Sequence, residues 1–147
     1  MKPHISTPQF PAPAAPHFTQ LLSATPRGAR LARLLTAHQL AEWGRPTSCT
    51  AVESALLVVA ELAANAVTHG RVRGRCFRLS LTLDTPHTLR VEVADPRGSH
   101  LPEPRGSAAP TAESGRGLLL VDALATRWGT APYPPSGKTV WACLSLP

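Results

Sequence analysis

The sequence predicts an α+β fold in which helices lie on one face of an antiparallel or mixed sheet. Three segments carry apolar residues at helical spacing, and three others alternate apolar and polar residues as half-buried strands do. These segments are interspersed along 147 residues, a length that fits one domain with one hydrophobic core.

The composition is that of a basic protein with an aliphatic core. Apolar residues make up 43% and aromatic residues 5% of the chain, so aliphatic side chains must fill the interior. The formal charge of +6 favours anionic partners, which include nucleotides, acidic proteins and nucleic acid. The densest basic cluster, Arg71, Arg73 and Arg75, has no aromatic neighbour that stacks on a base, which disfavours a nucleic acid partner.

Residues 1–17 are predicted to form a disordered tail, separate from a domain at residues 18–147. The tail is rich in proline and lacks the apolar region of a signal peptide. The longest aliphatic run, Ala55 to Ala60, stops at Glu61 and is too short to cross a membrane. The three cysteines form no C-x-x-C pair, so we expect reduced thiols and a cytoplasmic protein.

The first predicted elements are a short strand, Phe18 to Ala24, and a helix that follows it. Thr25 is a favourable N-cap, and Pro26 fits the first helical position because its missing N–H has no helical partner there. Apolar and amphipathic residues recur at helical spacing as far as Trp43, where Gly44 and Pro46 stop the helix. The recurring residues are Leu31, Leu34, Leu35 and His38.

A second helix of about 19 residues is predicted from Thr50 to Gly70. Thr50 and Glu53 have the spacing of a capping box, and Gly70 suits the position after the helix end. One apolar stripe runs along the helix; it consists of Val52, Leu56, Val59, Ala63 and Ala66.

Two alternating segments with a turn between them predict an antiparallel hairpin. The first has Phe77, Leu79, Leu81 and Leu83 on one face, and the second has Leu89, Val91 and Val93. Asp84 to His87 form the turn, and the second strand ends at Asp95.

The remaining segments predict a long loop, a third helix and a last strand. Residues 96–114 are rich in Pro, Gly, Ser and Ala without periodicity, and a loop of this length is a lid or a dispensable insertion. The helix follows Gly115 to Gly117 and ends near Trp128 and Gly129, with Leu118, Val121, Leu124 and Ala125 inward. The strand buries Val140, Ala142, Leu144 and Leu146.

Polar residues at three places are candidates for a binding site. Glu61 and Asn65 are four residues apart on one helix face, where they share a ligand or are simply solvated. Asp95 follows a buried strand, where it accepts a hydrogen bond in a pocket or merely starts a turn. Gly115 and Gly117 open a helix whose N-terminal amides suit an anion such as phosphate.

A P-loop is not predicted, although Gly137, Lys138 and Thr139 match the last residues of that motif. The first glycine of the motif would fall at Pro132, and the segment leads into a strand instead of a helix.

Taken in order, three segments resemble the N, G1 and G2 boxes of the GHKL ATPase superfamily. They are Glu61-Leu-Ala-Ala-Asn65-Ala-Val-Thr-His-Gly70, Asp95-Pro-Arg-Gly98 and Gly115-Arg-Gly117-Leu-Leu-Leu-Val. Within that superfamily the chain is similar to small histidine-kinase-like ATP-binding proteins of bacteria, including anti-sigma-factor serine kinases. The resemblance covers roughly Phe18 to Leu146 and implies a Bergerat fold: a two-layer sandwich with a mixed, mainly antiparallel sheet and a flexible ATP lid.

The resemblance also implies cofactors and residue roles. ATP and Mg²⁺ would be bound, with Asn65 coordinating the metal, Asp95 binding the adenine amino group and Gly98 leaving space beside the base. Gly115, Arg116, Gly117 and Leu118 would hold the phosphates, and Thr139 would assist adenine binding. Glu61 would be the catalytic base.

The resulting function hypothesis is a serine/threonine protein kinase of the anti-sigma-factor type. It would bind a sigma factor and phosphorylate a small antagonist protein, and the resemblance makes a homodimer plausible. A non-catalytic module whose protein binding depends on ATP is the alternative. A basic nucleic-acid-binding protein is a third, less favoured hypothesis, which predicts a salt-sensitive complex.

Overall fold

Five strands and three helices make up the described part of the chain. In the computed structural model, residues 15–69, 75–95, 112–134 and 137–147 are described. The elements, in chain order, are β1 (His17–Ser23), α1 (Pro26–Glu42), α2 (Thr50–His69), β2 (Cys76–Thr85), β3 (Thr88–Asp95), α3 (Ala112–Leu124), β4 (Arg127–Tyr133) and β5 (Gly137–Ser145). Most of the predicted tail and most of the predicted lid, including Gly98, lie outside the described residues.

The strands form one sheet in the order β1-β2-β3-β5-β4. Every pair of neighbouring strands described is antiparallel, whereas the family resemblance implied a mixed sheet. The α2 helix packs on the central strands β2, β3 and β5, with α1 and α3 beside it. The prediction of an α+β fold with helices layered on a sheet is confirmed.

The start of α1 has the geometry that the sequence predicts. The Thr25 side chain accepts a hydrogen bond from the Gly28 amide at 3.1 Å, and Pro26 is the first helical residue. Gly28 itself is required by close packing, because a Cβ there would lie 1.8 Å from the carbonyl oxygen of Ser23. At the other end, Gly44 has a φ of 79°, which suits glycine at a helix stop.

The buried face of α1 differs from the pattern that indicated the helix. Leu31 is 40% and Leu34 64% exposed, and the His38 side chain is also exposed. The face that packs against α2 and β1 consists of Gly28, Ala32, Thr36 and Leu40. Small residues allow α1 to approach its neighbours closely, which the spacing of the leucines did not reveal.

We expect Leu40→Ala to lower the free energy of unfolding by about 2–5 kcal/mol, because it empties a fully buried position. Leu34→Ala, the same substitution on the same helix, is expected to change it by less than about 0.5 kcal/mol because the side chain is mostly exposed. Urea unfolding followed by circular dichroism measures both. Equal effects of the two substitutions would contradict this assignment of the buried face.

The α2 helix is the core helix of the fold. The predicted apolar stripe is buried along its whole length, from Val52 to Ala66. The stretch Thr50–Thr68 is long and apolar enough to cross a membrane by composition alone, but half of it is buried inside this domain. The Glu53 amide donates a hydrogen bond to the Cys49 carbonyl oxygen at 3.1 Å, so Cys49 is the N-cap and Thr50 is the first helical residue. The predicted capping box would instead make Thr50 the N-cap and start the helix one residue later.

The predicted hairpin and last strand are confirmed, but β4 is an element that the sequence analysis missed. The residues predicted to be inward in β2, β3 and β5 are all buried. The helix α3 ends at Leu124, and the following residues, which include Gly129 and Pro132, form an edge strand paired with β5. Such a strand lacks alternation, and an edge tolerates proline because one side of the strand needs no hydrogen-bonding partner.

Candidate functional site

One end of the sheet gathers the ends of several elements. Arg45, five residues before α2, donates hydrogen bonds to the carbonyl oxygens of Pro86 and Pro147 at the opposite end of the sheet, so α2 begins there and runs toward the start of β2. Because Arg78 on β2 is opposite Ala94 on β3, Asp95 finishes β3 at this same end. The strand β5 begins there, since Asp95 pairs with Lys138. We call this region the site end of the sheet.

Asn65 and Glu61 lie on the last turns of α2, which lead to the site end. Both side chains are half-buried, so neither belongs to the solvated face of the helix. The Asn65 Nδ2 atom is buried and has no hydrogen-bond partner within the described part of the chain. A buried amide donor without a partner is rare in folded proteins and marks a position where a ligand or water completes the hydrogen bond.

Asp95 and Lys138 form a buried pair of opposite charge across β3 and β5. Their side chains are only 3% and 5% exposed, and the two residues are directly opposite each other in the strand register. Burial lowers the pKa of the Lys138 ammonium below its ordinary value, and the Asp95 carboxylate acts in the opposite direction. The pair therefore places a buried carboxylate and a buried ammonium group at the site end of the sheet.

Lys138 and Asp95 also share a face of the sheet. Side chains alternate along a strand, so Asp95 lies on the same side as Val93 and Val91, which face the helices. On β5, Lys138 lies in the same row as Val140 and Ala142, which pair with those residues. The two charged residues thus continue the core-facing rows to the site end.

Thr139 lies on the other face of the sheet, contrary to the role that the resemblance implied. It pairs with Ala94 and not with Asp95, and it alternates with the buried neighbours Lys138 and Val140. Its hydroxyl is therefore directed away from the helix layer that holds Asn65. The prediction that Thr139 assists adenine binding conflicts with this register, which follows from the two-residue period of the strand.

The third helix begins earlier than predicted. The helix α3 starts at Ala112, so Gly115 to Gly117 lie within it instead of preceding it. Ala112 and Glu113 favour helix at this start, alanine by propensity and glutamate through the helix dipole. In a helix with this start, Ser114 is the last residue whose amide lacks an intrahelical acceptor.

The same helix packs on the core through its first apolar residues. Leu118 and Val121 are buried, and α3 packs against α2. This places the segment Gly115 to Leu118 beside the helix of Asn65. The side chain of Arg116 lies outside the described part of the structure, so its role stays a prediction.

Asn65 fits the role of a Mg²⁺ ligand in a complex with nucleotide. Mg²⁺ prefers oxygen ligands and is commonly held by one or two protein groups together with phosphates and water. The Asn65 side chain offers one carbonyl oxygen for the metal, and its unmet N–H donor suits a phosphate oxygen. Within the residues described, no group of three His, Cys, Asp or Glu side chains is placed to hold a metal ion alone.

Lys138 is the residue of this site that the sequence analysis missed. There it was considered only as part of a rejected P-loop match. The signal was present, however, because the alternation of Val140, Ala142, Leu144 and Leu146 extends back by two residues to position 138. A lysine in the inward row of a buried strand is uncommon enough to indicate a specific partner.

Comparison with known proteins agrees with this architecture. A family model for the histidine kinase-like ATPase domain matches residues 22–144. Among solved structures, the RsbU and RsbW domains of Rv1364c from Mycobacterium tuberculosis share the fold, with a TM-score of 0.65 and 22% sequence identity. The match covers 90% of this chain and 33% of that chain, so this chain spans about a third of that protein's length. Comparison with curated proteins gives no significant match.

Proposed function

Because the chain belongs to the histidine kinase-like ATPase domain family, we propose that it is a regulatory protein that binds Mg-ATP at the site end of the sheet. The observation that carries this proposal is the buried Asn65 amide, whose Nδ2 donor has no partner among the described residues. Asn65 lies near the end of α2 at the site end of the sheet, where the Asp95 carboxylate is also buried. A nucleotide suits both groups, since it offers phosphate oxygens to the amide and an amino group that an aspartate carboxylate can accept.

The residues divide into a base side and a phosphate side. Asp95 accepts a hydrogen bond from the adenine amino group, and Gly98 leaves space beside the base. Gly115, Arg116, Gly117 and Leu118 form the phosphate side, where the glycines let phosphate oxygens approach closely and Arg116 supplies positive charge. Asn65 holds Mg²⁺ against the phosphates, where the ion neutralises negative charge.

We further propose that the chain is a serine/threonine protein kinase. The Glu61 carboxylate accepts the proton of a protein hydroxyl while the hydroxyl oxygen bonds to the γ-phosphorus. The bond between the γ-phosphorus and its bridging oxygen breaks, and ADP leaves. Glu61 lies one helical turn before Asn65, which supports this role because the base must lie near the phosphates that Asn65 helps to bind.

The proposed partners follow from the same family resemblance. The three motifs are similar to those of bacterial anti-sigma-factor serine kinases, and a solved structure of RsbU and RsbW domains shares the fold over a third of its length. We therefore propose a sigma factor as the bound partner, a small antagonist protein as the phosphate acceptor, and a homodimer in the cytoplasm as the active form.

A calorimetric titration of the wild-type chain with ATP and Mg²⁺ tests nucleotide binding. We expect saturable heat with one site per chain, and a large loss of affinity when EDTA removes Mg²⁺, since the metal joins Asn65 to the phosphates. GTP is the matched control ligand, because it lacks the exocyclic amino group at the position that Asp95 recognises in adenine. An absence of binding heat with Mg-ATP would contradict the proposed function.

A further inference from the structure

Lys138 is a buried cation on the inward face of a strand. Its side chain is 5% exposed, and it lies in the same row as the apolar residues Val140 and Ala142. Lysine is rarely buried to this extent unless it has a partner of opposite charge. Asp95, directly opposite on β3, is such a partner.

A purely structural role does not account for this choice of residue. Burial of a charge pair costs desolvation free energy, and apolar residues of similar volume usually serve a core at least as well. The next inward position of β5 shows this, since it holds Val140 opposite Val93. A charged pair at the last inward position, where the sheet ends at the candidate site, suits a role in ligand binding.

Resting on the proposed function, we propose that Lys138 is a positioning residue that keeps Asp95 ionised and oriented to accept a hydrogen bond from the adenine amino group. The carboxylate is 3% exposed, and without a nearby cation a carboxyl group so deeply buried favours its neutral form. A neutral carboxyl group is a weaker acceptor than a carboxylate. Lys138 thus takes the place on β5 that the family resemblance had assigned to Thr139.

Other described titratable groups lie on the elements that reach this end of the sheet. Glu61 lies on α2, and Cys76 and Arg78 lie on β2, where the inward position holds the apolar Phe77. Asp95 is the group whose charge acts on Lys138. Because these groups are the same in every variant, their titration cancels when a variant is compared with the wild type at each pH.

The experiment measures the Kd of Mg-ATP for the wild type and for Lys138→Met from about pH 5.5 to about pH 8.5, at saturating Mg²⁺. Because the nucleotide titrates equally in both measurements, its own pH dependence cancels in the ratio of the two Kd values. We expect the Kd of the variant divided by that of the wild type to rise by about tenfold as the pH falls across this window, because a buried carboxylate is protonated more readily without a neighbouring cation. Lys138→Arg keeps a permanent charge, so its ratio is expected to stay constant with pH.

A second variant covers the case in which Lys138→Met does not fold. Lys138→Gln keeps a hydrogen-bond donor beside Asp95 but carries no charge, and it is expected to show the same rise in the ratio at low pH. A constant ratio for a folded uncharged variant would overturn the inference while the proposed function stands. If the wild type failed to bind Mg-ATP at every pH, both would be overturned.

Discussion

Replacement of Asn65 by alanine is expected to weaken Mg-ATP binding by at least about 100-fold, equivalent to about 2.7 kcal/mol. The substitution removes the oxygen that would bind Mg²⁺ and the buried donor that would meet a phosphate oxygen. Isothermal titration calorimetry at a fixed Mg²⁺ concentration measures the loss. Because the interaction depends on the metal, the loss should be much smaller for nucleotide titrated in EDTA.

The stability of the same variant separates a binding role from a structural one. In the free protein none of the described residues is a partner of the Asn65 Nδ2 atom, so alanine removes an unsatisfied buried group and has the higher helix propensity. We therefore expect Asn65→Ala to be at least as stable as the wild type, by up to about 1 kcal/mol. Glu53→Ala, an exposed position on the same helix, is the control and should bind Mg-ATP normally.

Two results would count against this role for Asn65. Retained Mg-ATP affinity in Asn65→Ala would remove the residue from the site. A marked loss of thermal stability would show that the Asn65 side chain stabilises the free protein, through a hydrogen bond or through packing.

Replacement of Glu61 by glutamine is expected to reduce phosphoryl transfer by about 10²- to 10⁴-fold while Mg-ATP binding stays within about twofold. Glutamine has nearly the same shape but cannot accept the proton of the attacking hydroxyl at neutral pH. The measurement is transfer of labelled γ-phosphate to candidate antagonist proteins, with Mg-ATP affinity determined on the same samples.

The matched control is Glu53→Gln, the same substitution at an exposed site on the same helix. It should leave transfer unchanged. Full transfer activity in Glu61→Gln would exclude Glu61 as the base. If the wild type binds Mg-ATP tightly but transfers no phosphate to any candidate, a module whose protein binding depends on ATP becomes the better description.

Local signals in the sequence were sufficient for most of the fold. Thr25, Pro26 and Gly44 specify the two ends of α1 through capping and backbone geometry, which depend on neighbouring residues alone. The alternation in β2 and β3 is equally local, since a two-residue period separates the inward and outward faces. The stripe of α2 was predicted correctly because an apolar stripe along the whole length of a helix must face the core.

Elements whose burial depends on their neighbours were harder to predict. The exposed leucines of α1 have the spacing of a buried face, but close packing against α2 and β1 selects Gly28, Ala32, Thr36 and Leu40 instead. The edge strand β4 gave no periodic signal, because only its pairing with β5 makes it a strand. The start of α3 at Ala112 was obscured by the glycines that follow.

The sequence by itself determined the family resemblance, the order of the elements other than β4, and the two polar groups Asn65 and Asp95, because each depends on residues close together in the chain. The tertiary structure alone decided that the end of α2, Asp95 and the start of β5 share one end of the sheet. It also decided that Lys138, and not Thr139, is opposite Asp95. The physical reason is strand register: a shift of one residue moves a side chain to the opposite face, and pairing between distant strands fixes that register.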